Sequence, residues 1–264
     1  MKLKKTLILS VIVALITLFC NAQQIFCGEI QYKQIKKLSK LYEQDFLMKF
    51  NNKESYSEEI NIKLTEDRNE KKVSERGLTE TTIIGRKNLN PEFFYNNKSA
   101  FYFSEPLLIE NQTLIVKEDS HQWKWILNKE TKNIGNFICQ KATIKFRGRN
   151  YIAWFTNEIP VPFGPWKFQG LSGLILEVYD TDKVFHIITN KVRIEKTLDC
   201  SINFDKTQLK GAITIVEYRK EKEKIINTIF AKLSSKMPKG SSPLKWDKNC
   251  EDCPKGLEIF DEEN

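Results

Sequence analysis

Asn136-Phe137-Ile138-Cys139-Gln140-Lys141-Ala142-Thr143-Ile144-Lys145-Phe146, then Arg147-Gly148-Arg149, then Asn150-Tyr151-Ile152-Ala153-Trp154-Phe155-Thr156: the reading of this run decides the fold class. Its flanks are rich in β-branched and aromatic residues, and apolar positions recur close to every second residue. Between the flanks stands a glycine, the residue that takes positive φ without a steric penalty. The run therefore predicts a tight β-hairpin. A second hairpin follows, with Leu174–Tyr179 and Val184–Asn190 joined by Asp180-Thr181-Asp182-Lys183.

Toward the N-terminus the same logic predicts strands at Ile25–Ile35, Gln44–Asn51 (Phe46, Met48 and Phe50 on one face) and Glu58–Thr65. Asp67–Gly77 is charge-rich and turn-like. Pro91–Phe103 reads as a hairpin, and Thr113–Lys117 and Gln122–Leu127 as short strands, the latter with Trp123, Trp125 and Leu127 on one side. Toward the C-terminus the period changes. Ile215, Tyr218, Ile225, Ile226, Ile229, Phe230 and Leu233 fall at helical spacing, which predicts one amphipathic helix near 214–236, ended by the Pro- and Gly-containing run 237–243. The fold class is thus mainly β (α+β): a curled antiparallel sheet or half-open barrel with one C-terminal amphipathic helix packed on it. Residues 23–243 read as a single domain and 244–264 as a polar, cysteine-containing tail.

The first residues form an export signal. Lys2, Lys4 and Lys5 precede a nearly unbroken apolar run from Leu7 to Phe19, too short for a membrane span. Cys20-Asn21-Ala22 suits signal peptidase, so the cut is expected before Gln23, leaving 1–22 as a cleaved signal peptide. The lipoprotein alternative needs a small residue before Cys20, where bulky Phe19 stands. No other stretch reads as a transmembrane span. The periplasm is the expected compartment, with the extracellular space as the alternative.

Loss of the signal removes three lysines from a formal charge of +8. The remaining basic excess is dispersed, with no basic block interleaved with aromatics, which argues against nucleic-acid binding. It also removes Cys20, leaving an odd number of cysteines: Cys27, Cys139, Cys200, Cys250 and Cys253. Cys27, Cys200, Cys250 and Cys253 are the disulfide candidates, and Cys139, on an apolar strand, reads as a buried thiol. In Cys250-Glu251-Asp252-Cys253 the acids would raise the thiol pKa, contrary to a redox pair. The pattern reads as a structural disulfide, local or to Cys200 or Cys27.

A catalytic set is hard to build. His121 and His186 are too few and too separate for an imidazole-rich metal centre, and neither stands in a recognisable triad. There is no G-x-S-x-G, no phosphate-binding glycine loop and no H-E-x-x-H. Glu177, Asp180 and Asp182 read as a polar hairpin tip, Arg147 and Arg149 as a solvated turn. No cofactor or metal is expected.

The stretch 135–179 carries further pattern: Gly164-Pro165, Phe168-Gln169, and Gly170-Leu171-Ser172-Gly173-Leu174-Ile175 after the hairpin. Together they resemble the GLPGLI family of exported Bacteroidota proteins, with Ser172 in place of the proline of the eponymous hexapeptide. The resemblance implies no defined activity; its members often look like companions of outer-membrane receptors and transporters. The strand-rich pattern is also similar to periplasmic lipoprotein carriers. Gly170 and Gly173 leave a backbone free to turn, and Ser172 leaves it looser than proline would unless its hydroxyl is bonded. Trp154, Pro165, Phe168, Gly170, Leu171, Ser172, Gly173 and Leu174 are accordingly the candidate binding residues. Core packing is the plainer reading for the aromatics among them.

Three functions are consistent with this. One is a non-enzymatic carrier holding a lipid, acyl chain or apolar peptide between sheet and helix. Another is a module docking on an outer-membrane receptor or transporter through a sheet edge or a patch around Gly164–Leu174. The third is a hydrolase in which His121 or His186 meets a carboxylate and a hydroxyl or thiol.

Overall fold

The computed structural model describes residues 26–38, 41–61, 91–107, 112–119, 121–195, 200–238, 240–245 and 256–260. The signal segment 1–22, the turn expected over 67–77, and Cys250 and Cys253 lie outside the described residues.

Twelve strands form one sheet: β1 (Cys27–Lys37), β2 (Leu41–Phe50), β3 (Ser55–Ile60), β4 (Phe93–Asn96), β5 (Ala100–Pro106), β6 (Thr113–Asp119), β7 (Ile126–Ile134), β8 (Phe137–Phe146), β9 (Arg149–Thr156), β10 (Leu174–Asp180), β11 (Phe185–Glu195) and β12 (Ile213–Thr214). Their order is β12-β6-β5-β4-β3-β2-β1-β11-β10-β9-β8-β7. The sheet is two antiparallel meanders, β1–β6 and β7–β11, joined where β1 pairs with β11. It does not close into a barrel, because β7 stands at one end of the order and β12 at the other. Beside the join, a disulfide links Cys27 to Cys200, which follows β11.

The 136–156 hairpin forms as its sequence predicts. Phe146 pairs with Arg149, so the loop is Arg147-Gly148, both at positive φ (48° and 72°), the backbone of a type I′ turn. The second hairpin, β10 with β11, forms too. One expected strand does not. Residues 121–125 are irregular and the strand begins only at Ile126, running on through the polar Asn128–Asn133 beside β8. Trp123 and Trp125 still lie on one side, stacked at 5.9 Å, but they cross a loop rather than flank a strand, so their backbone joins no ladder.

Alternation along the strands sets one apolar face: Ile30 and Tyr32, Phe46 and Met48, Phe101 and Phe103, Ala142 and Ile144, Val178 and Ile187. The loop between β9 and β10 packs into this face. Its Ile159, Val161, Phe163, Trp166, Phe168 and Leu171 are all buried. Buried side chains of this kind each contribute roughly 1.5–3 kcal/mol. The loop reaches both meanders: Trp166 meets Phe185 on β11, Asn96 on β4 bonds Gln169, and the Lys167 ammonium lies 3.9 Å from the Phe103 ring centre on β5. One loop touching strands so far apart in the order requires the sheet to curl around it. On the opposite face Phe204 covers Tyr56, Phe93 and Tyr95, stacking on Tyr56 at 4.4 Å.

The helix α1 (Ile215–Ser234) opens with a capping box between Thr214 and Glu217. It meets the sheet at β6 and β12, where Tyr218 packs edge-on against Phe103 at 5.8 Å and is its one buried residue.

Candidate functional site

The structure divides the predicted binding residues between the two faces of the sheet. Pro165, Phe168, Leu171, Gly173 and Leu174 are buried within the inner loop, and Gly170 and Ser172 are its exposed corner. Trp154 is on the other face, 4.5 Å beneath the Lys132 ammonium. Gly173 has no room for a side chain: a β-carbon there would sit 2.0 Å from the Thr156 carbonyl oxygen. Ser172 is held by its hydroxyl, which bonds the Asn157 side-chain oxygen at 2.7 Å. Trp166 takes φ 54°, unusual for a bulky residue, and this places Lys167 and Phe168 inward together. The inner face of the curled sheet is occupied by Phe163, Phe168 and Leu171 of the chain itself.

Next to this loop a seam of charge crosses the inner face. Lys167, 3% exposed, bonds Glu118 at 3.2 Å and both Glu258 oxygens at 2.9 and 3.0 Å. Arg147 bonds the other Glu118 oxygen. Burial would raise the Glu118 carboxyl, but Lys167 and Arg147 outweigh it and hold it below its ordinary range. Arg149 and Asp180, buried to 6% and 0% exposure, pair at 3.1 Å, and Asp180 accepts the Phe185 amide at 2.7 Å. Here the sequence reading is corrected. Arg147, Arg149 and Asp180 look like turn residues because each lies at a hairpin end, but the C-terminal segment 256–260 folds over them. Arg149 donates to the Gly256 and Leu257 carbonyls, and the Ile259 amide donates to the Arg147 carbonyl. Of the three acids read as a hairpin tip, only Asp182 is exposed.

Glu177 lies on the outer face, where it bonds His186 Nε2 at 2.8 Å and also Lys132. Burial would raise its carboxyl, yet the bonds from His186 and Lys132 prevail and hold it low. This is the histidine–carboxylate contact a hydrolase would need. The thiol on this face, Cys139, is fully buried and pushed up to about 11 by that burial, leaving a thiolate fraction of about one in ten thousand near neutrality. Burial and then the nearby Arg147 charge lower the pKa of the other histidine, His121, which packs against Trp123 and Phe146. Among the described residues no three His, Cys, Asp or Glu side chains are grouped to hold a metal ion.

At the surface over the loop corner runs Trp123-Lys124-Trp125-Ile126-Leu127. Trp123 covers Gly170, whose added β-carbon would lie 3.0 Å from it, and the Trp125 indole donates to the Gln169 carbonyl at 2.8 Å. Ile126 and Leu127, at 66% and 57% exposure, begin the edge strand β7. Sequence reasoning found the aromatics but placed them in a sheet; their packing against the loop was not encoded in periodicity.

The disulfide is consistent with export, and among the described residues no helix is long and apolar enough to cross a membrane. No curated protein matches the chain. Among solved structures, PNGF-II in its C2 and P21 crystal forms is similar at 16% identity with TM-scores of 0.45 and 0.47. These matches cover 75% of this chain, which spans about a third (32%) of the PNGF-II chain. An uncharacterised conserved protein from Thermus thermophilus is similar at 11% identity with a TM-score of 0.32, over 74% of this chain and 91% of that one. Residues 147–177, from the hairpin turn through the inner loop into β10, match the model of the GLPGLI-type Bacteroidota family described as "Protein of unknown function (Porph_ging)".

Proposed function

We propose that this chain is a non-enzymatic interaction module of the periplasm that docks on an outer-membrane receptor or transporter through the start of β7. The observation that carries the reading is the exposed pair Ile126 and Leu127 at the start of β7, the edge strand of an open sheet, reached through the half-buried Trp123 and Trp125. An apolar strip beside a sheet edge offers backbone hydrogen bonds and side-chain anchorage together, as strand addition requires. Tryptophan is also among the residue types that dominate binding energy at interfaces. Further along the edge, Lys129, Glu130, Lys132 and the irregularity after Leu127 discourage indiscriminate pairing. The carrier reading has no comparable observation behind it: the helix meets the sheet through Tyr218 at β6 and β12, and the inner face is filled by Phe163, Phe168 and Leu171.

A photocrosslinking residue at Ile126, compared with one at Lys236 beyond the helix, tests this in intact cells. The expected result is one dominant membrane-protein adduct from position 126, reduced at least tenfold by Leu127→Asp with the melting temperature unchanged. No adduct, or the same adducts from both positions, would refute docking. Acyl chains seen by native mass spectrometry on the gently purified protein would favour the carrier instead.

A further inference from the structure

Every residue of the segment Gly256-Leu257-Glu258-Ile259-Phe260 is read by the body of the protein. The Gly256 and Leu257 carbonyls accept from Arg149 at 2.9 and 3.0 Å, and the Leu257 side chain packs against the core. Glu258 takes two bonds from Lys167. The Ile259 amide bonds the Arg147 carbonyl at 3.0 Å, and its side chain lies against Gly148 so closely that a β-carbon there would be 2.6 Å away. The Phe260 ring is in cation–π contact with two guanidiniums, Arg147 at 4.4 Å and Arg219 at 4.7 Å. This is the way a binding groove reads an extended peptide: carbonyls, a carboxylate, and an aromatic ring by cation–π contact.

Two further observations separate the groove from its present occupant. First, the cations have resident partners on the sheet: Asp180 for Arg149, and Glu118 for both Arg147 and Lys167. Three cations, Arg147, Arg149 and Lys167, thus face two close sheet carboxylates, Glu118 and Asp180, with the exposed Asp182 3.9 Å from Arg149. Second, the segment leaves buried polar atoms unanswered. Tyr151 Oη, on a side chain 1% exposed and within electrostatic reach of Arg149, Asp180 and Glu258, has no hydrogen-bond partner among the described residues. Arg147 Nε has none either; the Glu258 carboxylate stops 3.6 Å short of it, close enough for charge attraction only. Buried polar groups in native proteins are nearly always paired, and one left unpaired is costly.

We propose that this groove is a recognition site for an extended segment of a partner protein, one bearing a carboxylate two residues before an aromatic ring. Residues 256–260 are its built-in competitor. The partner segment displaces them by making the same contacts and also engaging Tyr151 Oη and Arg147 Nε. The proposal rests on this groove and does not depend on the docking reading of the Trp123–Leu127 strip.

The test uses the full chain and a fluorescent peptide of residues 256–262, followed by fluorescence anisotropy. The double variant Glu258→Gln/Phe260→Ala, which weakens the built-in segment, is expected to bind the peptide at least tenfold more tightly than the unaltered chain. Replacing the peptide's own glutamate by glutamine is expected to weaken binding at least tenfold, and binding should fall with added salt. If the double variant loses its cooperative melt, Phe260→Ala alone is held to the same criterion. Failure of the folded variant to bind the peptide more tightly than the unaltered chain overturns the proposal. Concentration-dependent dimerisation of the variant through exchange of its own segment also overturns it, by making the groove a joint between copies.

Discussion

Gly173 stands where β10 leaves the inner loop, and a β-carbon added there would run into the Thr156 carbonyl. Gly173→Ala must push backbone aside, so a loss above about 3 kcal/mol is expected in denaturant titration. Gly135, at φ +56° with open space around it, is the internal control: Gly135→Ala should cost only about 1 kcal/mol. Lys167 is the second sensitive residue. Lys167→Met leaves Glu118 to Arg147 alone and strips Glu258 of its close hydrogen bonds, a loss of about 3–5 kcal/mol on the scale of broken buried pairs. The pH dependence has a defined sign. Because the folded Glu118 carboxyl is held low, its stabilisation is complete above the ordinary carboxylate range and is lost as pH falls through and below it. Melting temperatures from pH 7 down to pH 3 should fall in the unaltered protein and fall less steeply in Lys167→Met. None of these three acid–base partners announces itself in sequence. Arg147 precedes the turn glycine Gly148, Lys167 stands between Trp166 and Phe168, and Glu118 lies 29 residues from the first and 49 from the second.

At the scale of elements, the hairpins were legible because each is local. Alternation, a turn glycine and a short connection are contained within about twenty residues, and the register of β8 on β9 follows from them. The capping box of α1 is equally local. Strand β7 was not legible, since Asn128–Asn133 has no apolar alternation; its pairing comes from β8, which supplies the ladder. The inner loop could be recognised by its motif but not located, because filling a curled sheet is a property of what surrounds it. The docking of α1 carries its own prediction. Glu105, on β5, interacts with Tyr218 and Lys222 of the helix, and burial raises its carboxyl above the ordinary value. A raised carboxyl favours the folded state below the ordinary carboxylate range and loses that contribution as pH rises through its folded pKa. Glu105→Gln is therefore expected to raise the melting temperature at pH 7 and to leave it unchanged at pH 4. An unchanged value at pH 7 would remove Glu105 from the account of helix docking.

For the whole molecule, the Cys27–Cys200 bond spans 173 positions and ties the start of the first meander to the end of the second. Loops of this length lose the most chain entropy when closed, so replacing both cysteines by alanine should cost about 2–5 kcal/mol, measured against the oxidised protein in guanidinium. The cysteine candidates were visible in the sequence; the choice of Cys200 for Cys27 is not, because it depends on β11 lying beside β1. That same adjacency governs the order of events at birth. Among the described strands, the one at the centre of the finished sheet is made first, and one of its two neighbours is among the last. The first meander can form while synthesis continues, but its inner edge stays unpaired until nearly two hundred residues exist. Throughout that interval β1 presents a bare strand to any chain nearby, so the topology exposes the newborn protein to a stranger's strand before its own second half can arrive.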